Sequence, residues 1–196
     1  DIIKDRQYTT KSNSFPRRSA QTAIDIILTK LVKIVAPILS FTAEEVWQTY
    51  LGTSTKQESI FLDEREVLEP IKSNISHDAW NAILDVRDQV NQTMELERNS
   101  GNIKGSLDTE IDLCVPQPIY DMLKSFSSEL HFLFIVSECR ISVGKAVSCS
   151  ISNSTHDKCI RCWHHHPSVG QSDLHPEICS RCISNVDGEG EERKLA

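Results

Sequence analysis

The sequence predicts a mainly α protein in which a helical block is followed by a small α+β unit and a short C-terminal module built around four cysteines. Three observations carry this reading. Apolar residues recur every three or four positions over 19–35, 76–100 and 119–136, the spacing of amphipathic helices. Thr109 to Val115 alternates Ile111, Leu113 and Val115 against Glu110, Asp112 and Cys114, the pattern of a half-buried strand. Near the C-terminus, Cys159, Cys162, Cys179 and Cys182 form C-x2-C twice, with sixteen residues between the pairs. The predicted bounds are 1–75 for the helical block, 76–145 for the α+β unit, 146–158 for a linker and 159–196 for the cysteine module.

The first helix with clear periodicity runs from Ser19 to Val35, with Ala20, Ala23, Ile24, Ile27, Leu28, Leu31, Ile34 and Val35 on its apolar face. Ser19 is its expected N-cap, and Pro37 stops it near Ala36. For the next helix, Thr42 and Glu45 occupy the two capping-box positions, and Phe41 and Val46 are spaced as a hydrophobic staple. These two helices are expected to pack together. Residues 54–74 are polar and acidic and read as a connection with one short helical turn. Ser76 caps a long helix with Trp80, Ile83, Leu84, Val90 and Met94 on one face and Ile75 and Trp80 as its staple, ending near Gly101. Pro116 and Pro118 end the strand that follows. A single helix is expected over 119–136 and a second strand over Cys139–Val143. The serine-rich stretch 144–158 reads as the linker.

Two residues between cysteines let both thiolates of a pair reach one ion from a tight turn, and the longer loop brings the second pair round to complete a tetrahedron. The expected ion is one structural Zn2+, and the module reads as zinc-ribbon-like. A tail this short, with almost no apolar residues for a core, needs a metal to fold. An iron site of rubredoxin type fits less well, because Trp163 and Ile183 stand where glycine is expected after the second cysteine of each pair. His164, His165, His166 and His175 read as a solvated loop, since four cysteines already fill the coordination sphere. Cys114, Cys139 and Cys149 show no paired spacing and read as core or near-surface thiols in a reducing compartment.

The net charge of -7 is unevenly spread. Residues 1–50 carry seven bases against five acids, 51–145 nine against sixteen, and the remainder five against seven. A nucleic-acid partner would meet the first block most readily, and the plain alternative for its bases is a solvated mixed-charge face. No apolar run approaches the ~20 residues of a membrane span, and the N-terminal residues lack the basic-then-apolar layout of a secretory signal. The expectation is a cytoplasmic protein with no membrane partner. The chain opens on Asp1 inside a helical pattern, so it reads as a piece of something longer.

Lys4-Asp5-Arg6-Gln7-Tyr8, Arg17-Arg18-Ser19-Ala20-Gln21-Thr22-Ala23 and the run from Ala36 to Trp47 resemble the anticodon-binding helical domain shared by isoleucyl-, valyl-, leucyl- and methionyl-tRNA synthetases of class I. Lys158 to His164, Glu177 to Cys182 and the junction-like Gly105-Ser106-Leu107 resemble the bacterial isoleucyl-tRNA synthetase family, whose zinc module closes the chain. The resemblance implies a helical anticodon-binding bundle, in part, over 1–75 and a monomeric C-terminal portion of an enzyme that joins isoleucine to its tRNA. ATP and Mg2+ would act in a catalytic domain outside this chain, since neither H-x-G-H nor K-M-S-K-S occurs in it.

The resemblance also places the zinc module near the anticodon, with Trp163 to stack an unpaired base and Arg161 to hold phosphate or a base edge. Against those roles stand plainer ones. Trp163 could cover the metal knuckle, and Arg161 could offset the -2 charge of four thiolates on one zinc ion. Arg17 and Arg18 are candidate tRNA-phosphate contacts or a plain surface at the start of a helix. Two rival classes complete the reading. The zinc tail also resembles that of formamidopyrimidine-DNA glycosylases, which would carry a helix-two-turn-helix before the metal. A structural zinc protein with no nucleic-acid partner is the other.

Overall fold

Seven helices and three strands follow from these local patterns in the computed structural model, which describes residues 2–50, 58–63, 75–126 and 128–193. In chain order they are α1 (Lys4–Tyr8), α2 (Phe15–Val35), α3 (Ser40–Thr49), α4 (His77–Asn99), β1 (Thr109–Val115), α5 (Gln117–Lys124), α6 (Leu130–Phe134), β2 (Glu138–Val143), β3 (Ser148–Asn153) and α7 (Ser180–Val186). The chain is thus mainly α with a small three-stranded sheet. It divides into two compact units, residues 18–72 and residues 1–17 together with 73–196.

In the 18–72 unit, Val32 and Ala36 meet Ala43, Trp47 and Ile60 in one buried cluster, so α2 and α3 pack as expected. The carboxylate of Glu44 accepts hydrogen bonds from Ser59 Oγ (2.8 Å) and the Ile60 amide (3.1 Å), which seats the 3-10 turn Ile60–Leu62, the short turn expected in the acidic connection. The rest of that connection, 51–57 and 64–74, lies outside the described residues. Helix starts differ from the sequence reading. α2 begins at Phe15 with Pro16 in its first turn, where a missing N–H costs nothing, so Ser19 sits inside the helix and not at its cap. α3 begins at Ser40, because Leu39 N donates to Val35 O at 2.8 Å and Ala43 N to Leu39 O at 2.8 Å; the tight turn hands one helix directly to the next. Thr42 and Glu45 therefore lie within α3, and Phe41, 93% exposed, is no staple.

In the other unit α4 follows the sequence reading closely. Ser76 Oγ accepts from Ala79 N at 3.2 Å, Ile75 and Trp80 pack on the core, and Gly101 leaves the helix at φ 76°. The α4 face buries Ile83, Val86, Val90 and Met94 against Ile111, Leu113 and Val115 of β1. The expected helix over 119–136 is two helices. α5 ends at Lys124, α6 starts at Leu130, and both halves keep their apolar residues (Leu123, Phe126, Leu130, Leu133, Phe134) in the same core, so the break costs no burial. Those helices form the crossover that a parallel β1–β2 pair requires.

The expected linker contains β3. It pairs antiparallel to β1, which makes β1 the central strand in the order β2-β1-β3. Ser148, Ser150 and Ser152 are exposed while Cys149 and Ile151 pack on the core, so the serines are one face of a strand. Just before it, a Cβ at Gly144 would stand 2.2 Å from Cys114 Sγ and 3.8 Å from Cys114 Cβ. Gly144→Ala is therefore expected to cost about 1–2 kcal/mol in urea unfolding, and Cys114→Ala in the same chain to remove most of that cost.

Candidate metal centre and the groove beside it

The spacing of the cysteine pairs is realised by two different local structures. The first is a tight knuckle: Trp163 N donates to Cys159 O at 2.9 Å and Cys159 N to His164 O at 2.9 Å. In the second, Cys179 is the N-cap of α7 and Cys182 lies in its first turn, with Ile183 N donating to Cys179 O at 3.0 Å. The four sulfurs lie within 4.8 Å of one another and all four residues are buried. Cys162 and Cys179 Sγ are 3.8 Å apart, matching the about 3.8 Å edge of a tetrahedron with Zn–S bonds of about 2.3 Å. The donors thus fit zinc by number, type and spacing.

Their protons are shared. Hydrogen bonds from the Cys162 and Cys182 thiols pull Cys179 well below the usual thiol range, while the same sharing with Cys162 and Cys179 pushes Cys182 up. Only a cation lets all four ionise together. Two thiols outside the cluster shift upward instead: burial pushes Cys149 up to about 11 and Cys139 higher still.

The knuckle backbone passes through the left-handed region at Trp163, φ 67°, where glycine is the strain-free residue. The indole is 62% exposed. Arg161 Nη1 donates to the Thr9 carbonyl at 2.5 Å and lies 3.7 Å from Cys182 Sγ, so its charge stands beside the thiolates and also ties the knuckle to the end of α1. Both line a groove of about 740 Å3, whose other walls include Lys4 and Tyr8 of α1, Ser106 and Ile135. Arg17 Nη1 reaches the Thr10 carbonyl at 3.4 Å, and Arg18 is exposed.

The histidines are not a solvated loop. His164 is buried edge-on to His131 and Phe132 at 5.7 Å, with Nδ1 3.1 Å from Cys162 O. His165 N donates to Ser137 Oγ at 2.6 Å, and its Nε2 lies 3.2 Å from Asp108. His166 Nδ1 meets Ser168 Oγ at 2.7 Å, and His175 pairs with Asp187. They hold the sixteen-residue loop in shape.

One cluster beside the metal has no counterpart in the sequence reading. Arg181, between the cysteines of the second pair, donates from Nη1 and Nη2 to the two carboxylate oxygens of Asp5 at 2.7 and 3.0 Å, and reaches Glu191 at 3.0 Å. Arg193 reaches Asp5 at 2.5 Å and lies 3.4 Å over the Phe132 ring. Burial pushes the Asp5 carboxyl up, but the Arg181 hydrogen bond and the charges of Arg181 and Arg193 outweigh it and hold it at about 2. Lys11 adds a bond from Nζ to Gly188 O at 2.7 Å. The Lys4–Tyr8 run is thus the strip on which the cysteine module docks. The signal was an acid in a basic-looking helix, legible only once its partners 176 and 188 residues away were known.

Among the described residues no helix is long and apolar enough to cross a membrane. The family profile described as "Anticodon-binding domain of tRNA ligase" matches residues 1–113. A second, "Zinc finger found in FPG and IleRS", matches residues 157–185. The chain is similar over its whole length to isoleucine–tRNA ligases of Dichelobacter nodosus (44% identical, covering 21% of that protein) and Hahella chejuensis (43%, covering 22%). It is also 41% identical to that of Legionella pneumophila over 98% of this chain and 22% of the relative. The chain spans about a fifth of the length of these curated relatives.

Proposed function

The chain belongs to the tRNA-ligase family that carries this anticodon-binding domain, and from that premise we propose that it is the tRNA-binding C-terminal portion of a cytoplasmic, monomeric isoleucine–tRNA ligase. The ligation itself, with ATP and Mg2+, belongs to a catalytic domain outside this chain. In this reading α2 and α3 are two helices of an anticodon-binding bundle, the unit from α4 to β2 is the junction, and the cysteine knuckles form a ribbon-like zinc module. The glycosylase alternative is disfavoured: the zinc-finger profile is shared by both classes, the profile over 1–113 is not, and β3 leads into the metal site where a helix-two-turn-helix would be needed.

One observation carries the role of the metal centre. Trp163 holds a backbone conformation that costs about 1 kcal/mol for a residue with a Cβ, yet exposes its ring instead of packing it. An exposed indole beside a guanidinium suits an unpaired base and its phosphate. Zinc forms the knuckle that presents them and takes no part in catalysis.

Metal analysis is expected to give one zinc per chain. Titration of the zinc-loaded chain with isoleucine tRNA should show Trp163→Ala weaker by about five- to a hundredfold and Arg161→Ala weaker as well. Arg17→Ala and Arg18→Ala are expected to lower the salt dependence of binding rather than its sequence preference. Unchanged affinity in both Trp163→Ala and Arg161→Ala would leave a structural knuckle only.

A further inference from the structure

We infer that Tyr8 is a second stacking residue, so that the groove beside the metal centre takes two unpaired nucleotides of an RNA loop, one on Trp163 and one on Tyr8; this rests on the tRNA-binding reading above. Tyr8 and Trp163 are the exposed aromatic rings in the wall of this groove, 73% and 62% exposed. Phe132, the third aromatic there, is buried under Arg193 and presents no free face.

The position of Tyr8 is fixed on both sides. A helix of five residues has no stability of its own. α1 is held at Asp5 by Arg181 and Arg193, and at Thr9 by Arg161, which donates to its carbonyl, and by Arg181, which donates to its hydroxyl at 3.3 Å. Arg6 adds a buried pair with Glu129 at 3.8 Å. None of these anchors uses the Tyr8 ring, yet together they set it at a fixed place relative to the Trp163 knuckle. Ordering costs are therefore met in the folded chain before any ligand arrives, which favours stacking on a rigid ring.

Size and charge agree with an oligonucleotide. Ligand clefts run about 300–1,000 Å3, and the groove, at about 740 Å3, lies in the upper part of that range, with room beyond one stacked base. Its lining carries Lys4 and Arg161, while the one lining carboxylate, Asp5, is already paired with two arginines. The two basic side chains offer contacts to a sugar–phosphate chain passing from one ring to the other. An aromatic ring accepts the face of any base, so Tyr8 would add affinity with little sequence preference.

The test uses the zinc-loaded chain and an RNA hairpin whose loop carries the isoleucine anticodon, with 2-aminopurine placed at successive loop positions. Stacking quenches its fluorescence. The parent is expected to quench two neighbouring positions, with Trp163→Ala releasing one and Tyr8→Ala the other. Tyr8→Ala should weaken binding by about five- to a hundredfold, and Tyr8→Phe, which keeps the ring, should stay within about twofold of the parent. Since the ring is exposed, zinc content and unfolding midpoint should match the parent in both Tyr8 variants. If Tyr8→Ala leaves affinity and quenching unchanged while Trp163→Ala weakens binding, the second stacking position is overturned and the tRNA reading stands. If neither variant changes either quantity, both fall.

Discussion

Removing the metal, by chelation or by Cys179→Ser, is expected to unfold residues 157–193 and to release α1 with them, while the core around β1 stays folded. Among the described residues the four cysteines have only the apolar Val169 and Ile178 packed against their cluster, too little for a core to fall back on. Structural zinc contributes about 10–16 kcal/mol of binding free energy in small modules, and in such modules that free energy is folding free energy. The module holds α1 and the residues just after it through Arg161 in the first knuckle, Arg181 in the second, Asn185 and Gly188 at the end of α7, and Arg193 beyond it. Hydrogen exchange reads the result. Amides of 157–193 and of 4–11 should lose protection together, whereas β1 and the face of α4 buried against it should keep theirs, because Ile83, Val86, Val90, Ile111, Leu113 and Val115 form a separate cluster. Unchanged protection in α1 after chelation would show that the strip is held by the rest of its unit alone.

That prediction joins two stretches that lie at opposite ends of the sequence, which also explains what was legible there and what was not. Where a neighbour within four residues decides the structure, the sequence was sufficient: the Ser76 cap and Ile75–Trp80 staple of α4, the alternation of β1, the stop at Gly101 and the closeness of Cys159 to Cys162 and of Cys179 to Cys182. Where a distant partner decides, local rules misled. The Thr42–Glu45 capping box has the right residues, but the turn from α2 starts the helix three residues earlier. Ser148 to Asn153 has the composition of a linker and becomes a strand because β1 offers it an edge. The histidine run looked solvated because its partners Phe132, Ser137 and Asp108 come from segments well before it. At the candidate site the four-cysteine cluster could be read directly, whereas the groove could not, since Tyr8 and Trp163 line one groove only after the module docks.

The docking strip itself supplies the second large effect. Asp5→Asn keeps the shape of the side chain but removes the charge that Arg181 and Arg193 share, and Arg193, 3% exposed, would be left with a buried guanidinium short of its counter-charge. Breaking one partner out of a buried ionic cluster costs about 3–5 kcal/mol. The contacts that remain, Arg181 with Glu191 and Arg193 over Phe132, place the expected loss toward the lower end of that range. The sign of the pH dependence follows from the carboxyl. Its folded-state value, about 2, lies below the ordinary 3.8, so the charge stabilises the fold fully above pH 4 and the contribution disappears as pH falls toward 2. Urea unfolding of parent and variant should therefore show a constant gap from neutral pH down to about 4, closing below it. A zinc-sensitive dye in the same samples separates this from protonation of the thiolates: a gap that closes above pH 4 in step with zinc release belongs to the metal, not to Asp5. A gap under about 1 kcal/mol at neutral pH, the size of an exposed ion pair, would mean that the Asp5 cluster does not hold the module to α1.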